Sequence, residues 1–242
     1  MLKVGPDAPV LKPGDWVLCD ATVRSRDNPL FPDIALQGLS ARADGGLALQ
    51  RYFRDGSFAE KTPVQTESAV PLGAIDPSSA RYWCALGTLL VPFGGLIAGA
   101  LQPGETVLVS GATGNFGSSA VAVALTMGAG AVVTPGRNTR ILQELVNRFG
   151  ARVRPYGHAV PMGGVGMLGG PWLELPYPWL MRNNIALRGA WIYSSDAPLK
   201  LVRLIASGQL NLHQWQVCTF SLDEIHEALH HAACEAGSSG LC

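Results

Sequence analysis

Residues 103–117 read PGETVLVSGATGNFG, and this passage constrains the chain more than any other. The apolar run at 106–109 breaks into a glycine-rich turn, and a long stretch of small residues, 115–127, follows with the composition of a helix. A second β-rich run lies at 131–134. Strand, glycine turn, helix and second strand within about 30 residues make a βαβ unit. That unit predicts an α/β fold with a parallel sheet.

The turn has a chemical meaning as well as a topological one. A glycine lacks Cβ, so its main chain can approach an oxygen without a clash. The first helical turn then offers unpaired N–H groups and the positive end of the helix dipole, both of which favour an anion. The register is Ala112-x-Gly114-x-x-Gly117, with alanine in the first place of the usual G-x-G-x-x-G. In that pattern Gly114 allows close approach of a pyrophosphate, and Gly117 lets the helix pack against the strand. Gly111, Ala112, Thr113, Gly114, Asn115, Phe116 and Gly117 are the expected phosphate-binding residues. The plainer alternative is a tight loop in some other α/β protein.

The end of the second strand narrows the cofactor. A ribose 2′-hydroxyl is usually gripped there by an acidic residue, roughly 20 residues beyond the glycines. Here the sequence is Thr134-Pro135-Gly136-Arg137-Asn138, without an acid. Arg137, with Asn138, would instead pair with a 2′-phosphate. NADP(H) is expected over NAD(H); the competing reading is an Arg137 that faces solvent.

Composition excludes several classes. The 242 residues are 48% hydrophobic and balance 18 basic against 18 acidic side chains, which suits a buried core and no polyanionic partner. Cys19, Cys84, Cys218, Cys234 and Cys242 lack C-x-x-C spacing, and residues 1–10 lack a secretory signal. A reducing cytoplasm is therefore expected, without a zinc-ribbon site. Residues 83–102 carry no charge, about the length of a spanning helix. Pro92, Gly94 and Gly95 interrupt them, so a buried core segment is expected in place of a membrane span.

Elsewhere, residues 1–80 read as short strands and turns, including a strand from Trp16 and strand-like pieces over 37–54 broken by Gly45-Gly46. A helix is expected over 78–90. Ile141, Leu142, Leu145, Val146 and Phe149 mark another, ended by Gly150, and residues 151–154 resemble a third strand. Residues 185–192 suggest a strand, and residues 196–207 a helix closed by Gly208. The last helix opens with a capping box, Ser221-Leu222-Asp223-Glu224, and Ile225, Ala228, Leu229 and Ala232 predict one buried stripe.

These residues together resemble the medium-chain dehydrogenase/reductase superfamily. The similarity is carried by LKPGDWV at 11–17, the 101–117 passage, Met162-Gly163-Gly164-Val165, LPYPWLMRNN at 175–184 and Gly189-Ala190-Trp191. It is greatest to the zinc-independent branch that includes quinone oxidoreductases and fungal alcohol-dehydrogenase-like proteins. The resemblance implies an incomplete Rossmann-type domain over 79–213 and a partial β-rich, GroES-like substrate domain over 1–78 plus 214–242. It also implies a cleft between them and hydride transfer with NADPH to a small carbonyl, alcohol, quinone or activated alkene. Gly163, Gly164 and Val165 would lie near the nicotinamide. No catalytic acid or base is assigned, although Tyr156, Tyr177 and Tyr193 are candidate proton donors.

The pattern departs from the superfamily in three places. The Gly-His-Glu motif and first catalytic-zinc cysteine of the family's first β-domain are absent. Pro92 stands where a third zinc ligand is common, so no metal is expected. Between Arg152 and Ala159 the family has a helix, a strand and a helix, whereas a parallel crossover needs roughly a dozen residues or more. The second expectation is thus a shortened, catalytically inactive paralogue, or a splice or gene-model fragment, that binds nucleotide weakly or a partner. A small-molecule substrate, no nucleic acid, no membrane and a homodimer complete the expectations.

Two rival motifs remain. His226-Glu227-Ala228-Leu229-His230 is a literal H-E-x-x-H, the pattern of a zinc hydrolase, but only Cys234 and Glu235 follow within reach as a third ligand. An amphipathic helix with histidines on its polar flank explains the spacing better. Short-chain and NmrA-like reductases share the glycine turn. They place it near the chain start, and the reductases use a Tyr-x-x-x-Lys base that no tyrosine here supplies.

Overall fold

The computed structural model describes residues 1–27, 29–134, 177–182 and 187–235. They divide into two compact units, Met1–Trp83 with Thr219–His230, and Cys84–Cys218 with His231–Cys242.

The first unit holds β1 (Val17–Cys19), β2 (Thr22–Arg24), β3 (Ile34–Leu36), β4 (Ser40–Ala41), α1 (Ala43–Tyr52) and β5 (Ala69–Pro71). Strands β1 and β5 pair antiparallel with Leu18 opposite Val70, and β2, β3 and β4 form an antiparallel meander. Val23 and Ala35, opposite one another, are fully buried. A side chain extends the second sheet: the Gln65 amide accepts from the Arg24 N–H at 3.2 Å and donates to the Arg24 carbonyl at 2.8 Å. Gln65 is 4% exposed, so an unpaired amide there would carry a full desolvation cost.

Helix α1 corrects the expectation of broken strand pieces over 37–54. The residues Leu47-Ala48-Leu49-Gln50-Arg51 favour a helix, and Asp44 in the first turn and Arg51 in the last complement its dipole. Gly45 and Gly46 do not break it, and Gly46 is needed for a close backbone contact. A Cβ on Gly46 would lie 2.5 Å from the Ile34 carbonyl oxygen, so the glycine lets α1 rest on β3.

A 3-10 stretch, Pro77–Ala85, carries the chain from the first unit into the second and runs into α2 (Leu86–Ala98). The expected helix over 78–90 is thus 3-10 in its first part and continues to Ala98. Pro92 sits inside α2, where Leu86, Leu89 and Phe93 are buried around it, and packing outweighs the lost backbone bond. By length and composition Pro77–Ala98 would suffice to cross a membrane, and 44% of its apolar window is buried within the chain. There α2 packs on α3 (Asn115–Thr126) and on a later helix, Ala197–Ala206.

Between α2 and α3 lies β6 (Thr106–Leu108), and after α3 comes β7 (Ala131–Val133), parallel to β6. The remaining helices are α4 (Tyr177–Arg182), α5 (Ala197–Ala206) and α6 (Ile225–Cys234). Helix α5 ends as its sequence predicts, with Gly208 at φ +77° donating to the Ile205 carbonyl at 2.9 Å. The strand expected over 185–192 is corrected among its described residues. Leu187 makes only an isolated bridge and Ile192 has φ +63°, which an extended β-branched residue does not adopt. The helix over 141–149 and the strand expected at 151–154 lie outside the described residues.

Candidate functional site

The glycine turn is framed before it begins. Gln102, Pro103, Gly104 and Glu105 make a tight turn, with Gly104 at φ +86° and the Glu105 N–H donating to the Gln102 carbonyl at 3.2 Å. Gly104 N–H then bonds the Gly128 carbonyl at 2.7 Å, and Gly130 N–H bonds the Glu105 carbonyl at 2.8 Å. The start of β6 is thereby tied to the end of α3. The β6–β7 ladder sets Val107 against Val132, and the Val109 N–H extends it to the Val133 carbonyl at 2.8 Å. Val109, Ala112, Val121, Ala124 and Val132 form the core beneath the turn.

Three glycines divide the work of the turn. Gly111 has φ +74°, so it makes the sharp reversal out of β6 and accepts from the Gly114 N–H at 3.1 Å. Gly117 is enclosed: a Cβ there would lie 2.6 Å from the Gly111 carbonyl carbon and 2.7 Å from the Ala112 Cα. The close packing of Gly117 is thus against the turn's own backbone at the strand end. Gly114 differs from both. It caps α3 at φ −95°, a conformation open to any residue, and a Cβ would meet only the Gly111 carbonyl oxygen at an ordinary 3.7 Å. Among the described residues, packing does not require glycine at 114.

The alanine in the first motif place is also accounted for. Ala112 is fully buried in the core and needs no special φ, because Gly111 before it makes the reversal. Thr113, Gly114, Asn115 and Gly117 are half-buried, and Phe116 is exposed. No acidic side chain occupies the first turn of α3, and none lies between Thr106 and Ser118. The Ser118 N–H closes the cap on the Gly114 carbonyl at 2.8 Å.

Below the turn, Ser119 is fully buried and donates to the Thr88 Oγ1 at 3.1 Å, joining α3 to α2. Sequence reading did not find this pair, although Thr88 is the only hydroxyl residue in the apolar run of α2. Arg137, Asn138, Gly163, Gly164, Val165 and Tyr156 lie outside the described residues. Tyr177 is exposed on α4. Tyr193 packs on α2, since a Cβ on Gly94 would lie 2.8 Å from the Tyr193 Cα.

On α6 the capping box forms, with the Ser221 N–H donating to Glu224 Oε2 at 2.8 Å and the Ser221 hydroxyl at 2.9 Å. The predicted buried stripe is corrected: α6 has no buried residue, and Leu229 is 51% exposed. His226 and His230 are exposed, and no three His, Cys, Asp or Glu side chains among the described residues are grouped to hold a metal. No disulfide joins the described cysteines.

No family model matches the chain. An acryloyl-coenzyme A reductase of Metallosphaera sedula is 40% identical over 131 residues, which are 53% of this chain and 37% of that protein. The chain thus spans little more than a third of this curated relative's length. Among solved structures, the alcohol dehydrogenase of the hyperthermophilic archaeon Aeropyrum pernix aligns with a TM-score of 0.73 and 19% identity, covering 98% of this chain and 78% of that one. The acetophenone reductase of Geotrichum candidum, solved in complex with NAD, aligns with a TM-score of 0.59 and 18% identity over 76% of this chain and 61% of that one. The fold is that of an alcohol dehydrogenase, α/β with partial Rossmann and GroES-like portions. Both the fold and this local sequence similarity agree with the resemblance to the medium-chain dehydrogenase/reductase superfamily.

Proposed function

We propose that this protein is a zinc-free, NADP(H)-dependent oxidoreductase of the cytoplasm, acting on a small carbonyl, alcohol, quinone or activated alkene. The observation that carries the proposal is Gly114, a glycine that neither its backbone conformation nor packing among the described residues requires, at the N-terminus of a buried helix. Residues 111–117 would hold the pyrophosphate, with Arg137 and Asn138 on the 2′-phosphate and Gly163, Gly164 and Val165 beside the nicotinamide. The cofactor supplies two-electron hydride transfer, and solvent exchanges the balancing proton. The chain's own part is to bind and orient, which alone lowers a barrier substantially. The similarity to a reductase named for acryloyl-coenzyme A favours an activated alkene within the substrate set.

Zinc independence rests on Pro92 in a place where a ligand is common among the relatives. The test is consumption of NADPH, followed at its nicotinamide absorbance, with an α,β-unsaturated thioester, an aldehyde and a quinone in turn, before and after chelator treatment. Turnover that survives chelation is expected. Turnover abolished by the chelator and restored by zinc would overturn the zinc-free reading. Nucleotide binding without turnover on any of the three would favour the non-catalytic alternative.

A further inference from the structure

We propose that Thr88 and Ser119 are positioning residues for the nucleotide turn, an inference that rests on the function proposed above. The geometry fixes the direction of the relay. The Thr88 hydroxyl donates to the Ala85 carbonyl at 3.1 Å, which commits its proton to the start of α2. The Ser119 hydroxyl must therefore be the donor into Thr88 Oγ1, also at 3.1 Å. Ser119 is fully buried, so water cannot substitute for the lost partner.

The location of this bond gives it leverage. Ser119 lies in the second turn of α3, one turn beyond the Gly114 cap. The other buried side chains of α3 are Ser118, whose hydroxyl bonds back to the Asn115 carbonyl of its own helix, and the non-directional Val121, Ala122, Val123 and Ala124. Apolar contact alone leaves such a helix able to rotate slightly about its axis. A hydrogen bond between side chains does not, because its strength falls steeply with angle. Rotation of α3 would swing its first-turn N–H groups away from a bound pyrophosphate. The relay thus sets the aim of the helix terminus, without touching the nucleotide.

The test uses the full chain with Thr88→Val, Thr88→Ser and Ser119→Ala, and Val202→Ala on α5 as a control for general core loss. Two readouts are taken: amide hydrogen exchange over residues 114–120 without nucleotide, and the Kd for NADPH. Thr88→Val should speed exchange across that segment more than the control does, and raise Kd about three- to tenfold. Thr88→Ser should restore both, and Ser119→Ala reproduces the loss if Thr88→Val does not fold. Exchange and Kd in Thr88→Val equal to those of Val202→Ala would overturn the inference. Faster exchange in a protein whose wild type binds no NADPH would uphold the relay and count against the proposed function alone.

Discussion

Replacing Gly114 by alanine separates binding from folding. The added methyl meets nothing closer than the Gly111 carbonyl oxygen at 3.7 Å, and φ −95° is comfortable for alanine. Alanine caps a helix less well than glycine, but it also restricts the unfolded chain by about 0.4–1 kcal/mol, and the two effects roughly cancel. Stability should therefore stay within about 1 kcal/mol of wild type. Binding behaves differently. The methyl stands where phosphate oxygens would reach the backbone, and losing one charge-assisted hydrogen bond costs about 1.5–3 kcal/mol. Kd for NADPH should rise about ten- to a hundredfold. Gly117→Ala is the contrasting case, since its methyl would collide with backbone at 2.6 and 2.7 Å and overpacking costs about 1–3 kcal/mol. Tryptophan fluorescence on adding NADPH and urea unfolding read the two effects. If Gly114→Ala binds as wild type does, or unfolds as readily as Gly117→Ala, the division of labour among the glycines is refuted.

Other outcomes follow from the same geometry. Gly87 lies exposed near the start of α2 with open space around its missing Cβ, so Gly87→Ala should stabilise the chain by about 0.5–1 kcal/mol in urea unfolding. Gln65→Ala leaves the Arg24 backbone groups without their amide partner and should cost about 1–3 kcal/mol by the same assay. Glu224 is held below the ordinary carboxylate range by the Ser221 N–H and then by its hydroxyl. A depressed native value means that the stability it lends is present above the ordinary glutamate range and is lost as pH falls through the native value. The difference in urea midpoint between wild type and Glu224→Gln should therefore be clear at neutral pH and shrink in acid.

The parts of the fold that were legible in sequence are those whose cause is local. The change from an apolar run to glycines to small residues marks β6, the turn, α3 and β7. The Ser221–Glu224 box and Gly208 mark helix ends, because each bonds backbone within a few residues. The errors share an opposite cause. Gly45 and Gly46 look like breakers until Ile34 is seen beside them, and Pro92 looks like a stop until the buried side chains around it are counted. Ile192 has every local reason to be extended and instead adopts φ +63°. The stripe on α6 has helical spacing, but spacing cannot say whether anything covers it. At the turn, the strand–glycine–helix order is legible in sequence, while Gly111 as the reversing residue and the Thr88–Ser119 bond are not, since neither follows from a one-dimensional spacing.

The most direct measurement of the central claim is a titration of the folded wild-type protein with NADPH and then NADH, read by protein and reduced-nicotinamide fluorescence. Saturable binding of both is expected, tighter for NADPH because Arg137 would pair with the 2′-phosphate. A cooperatively unfolding protein that binds neither nucleotide would contradict it.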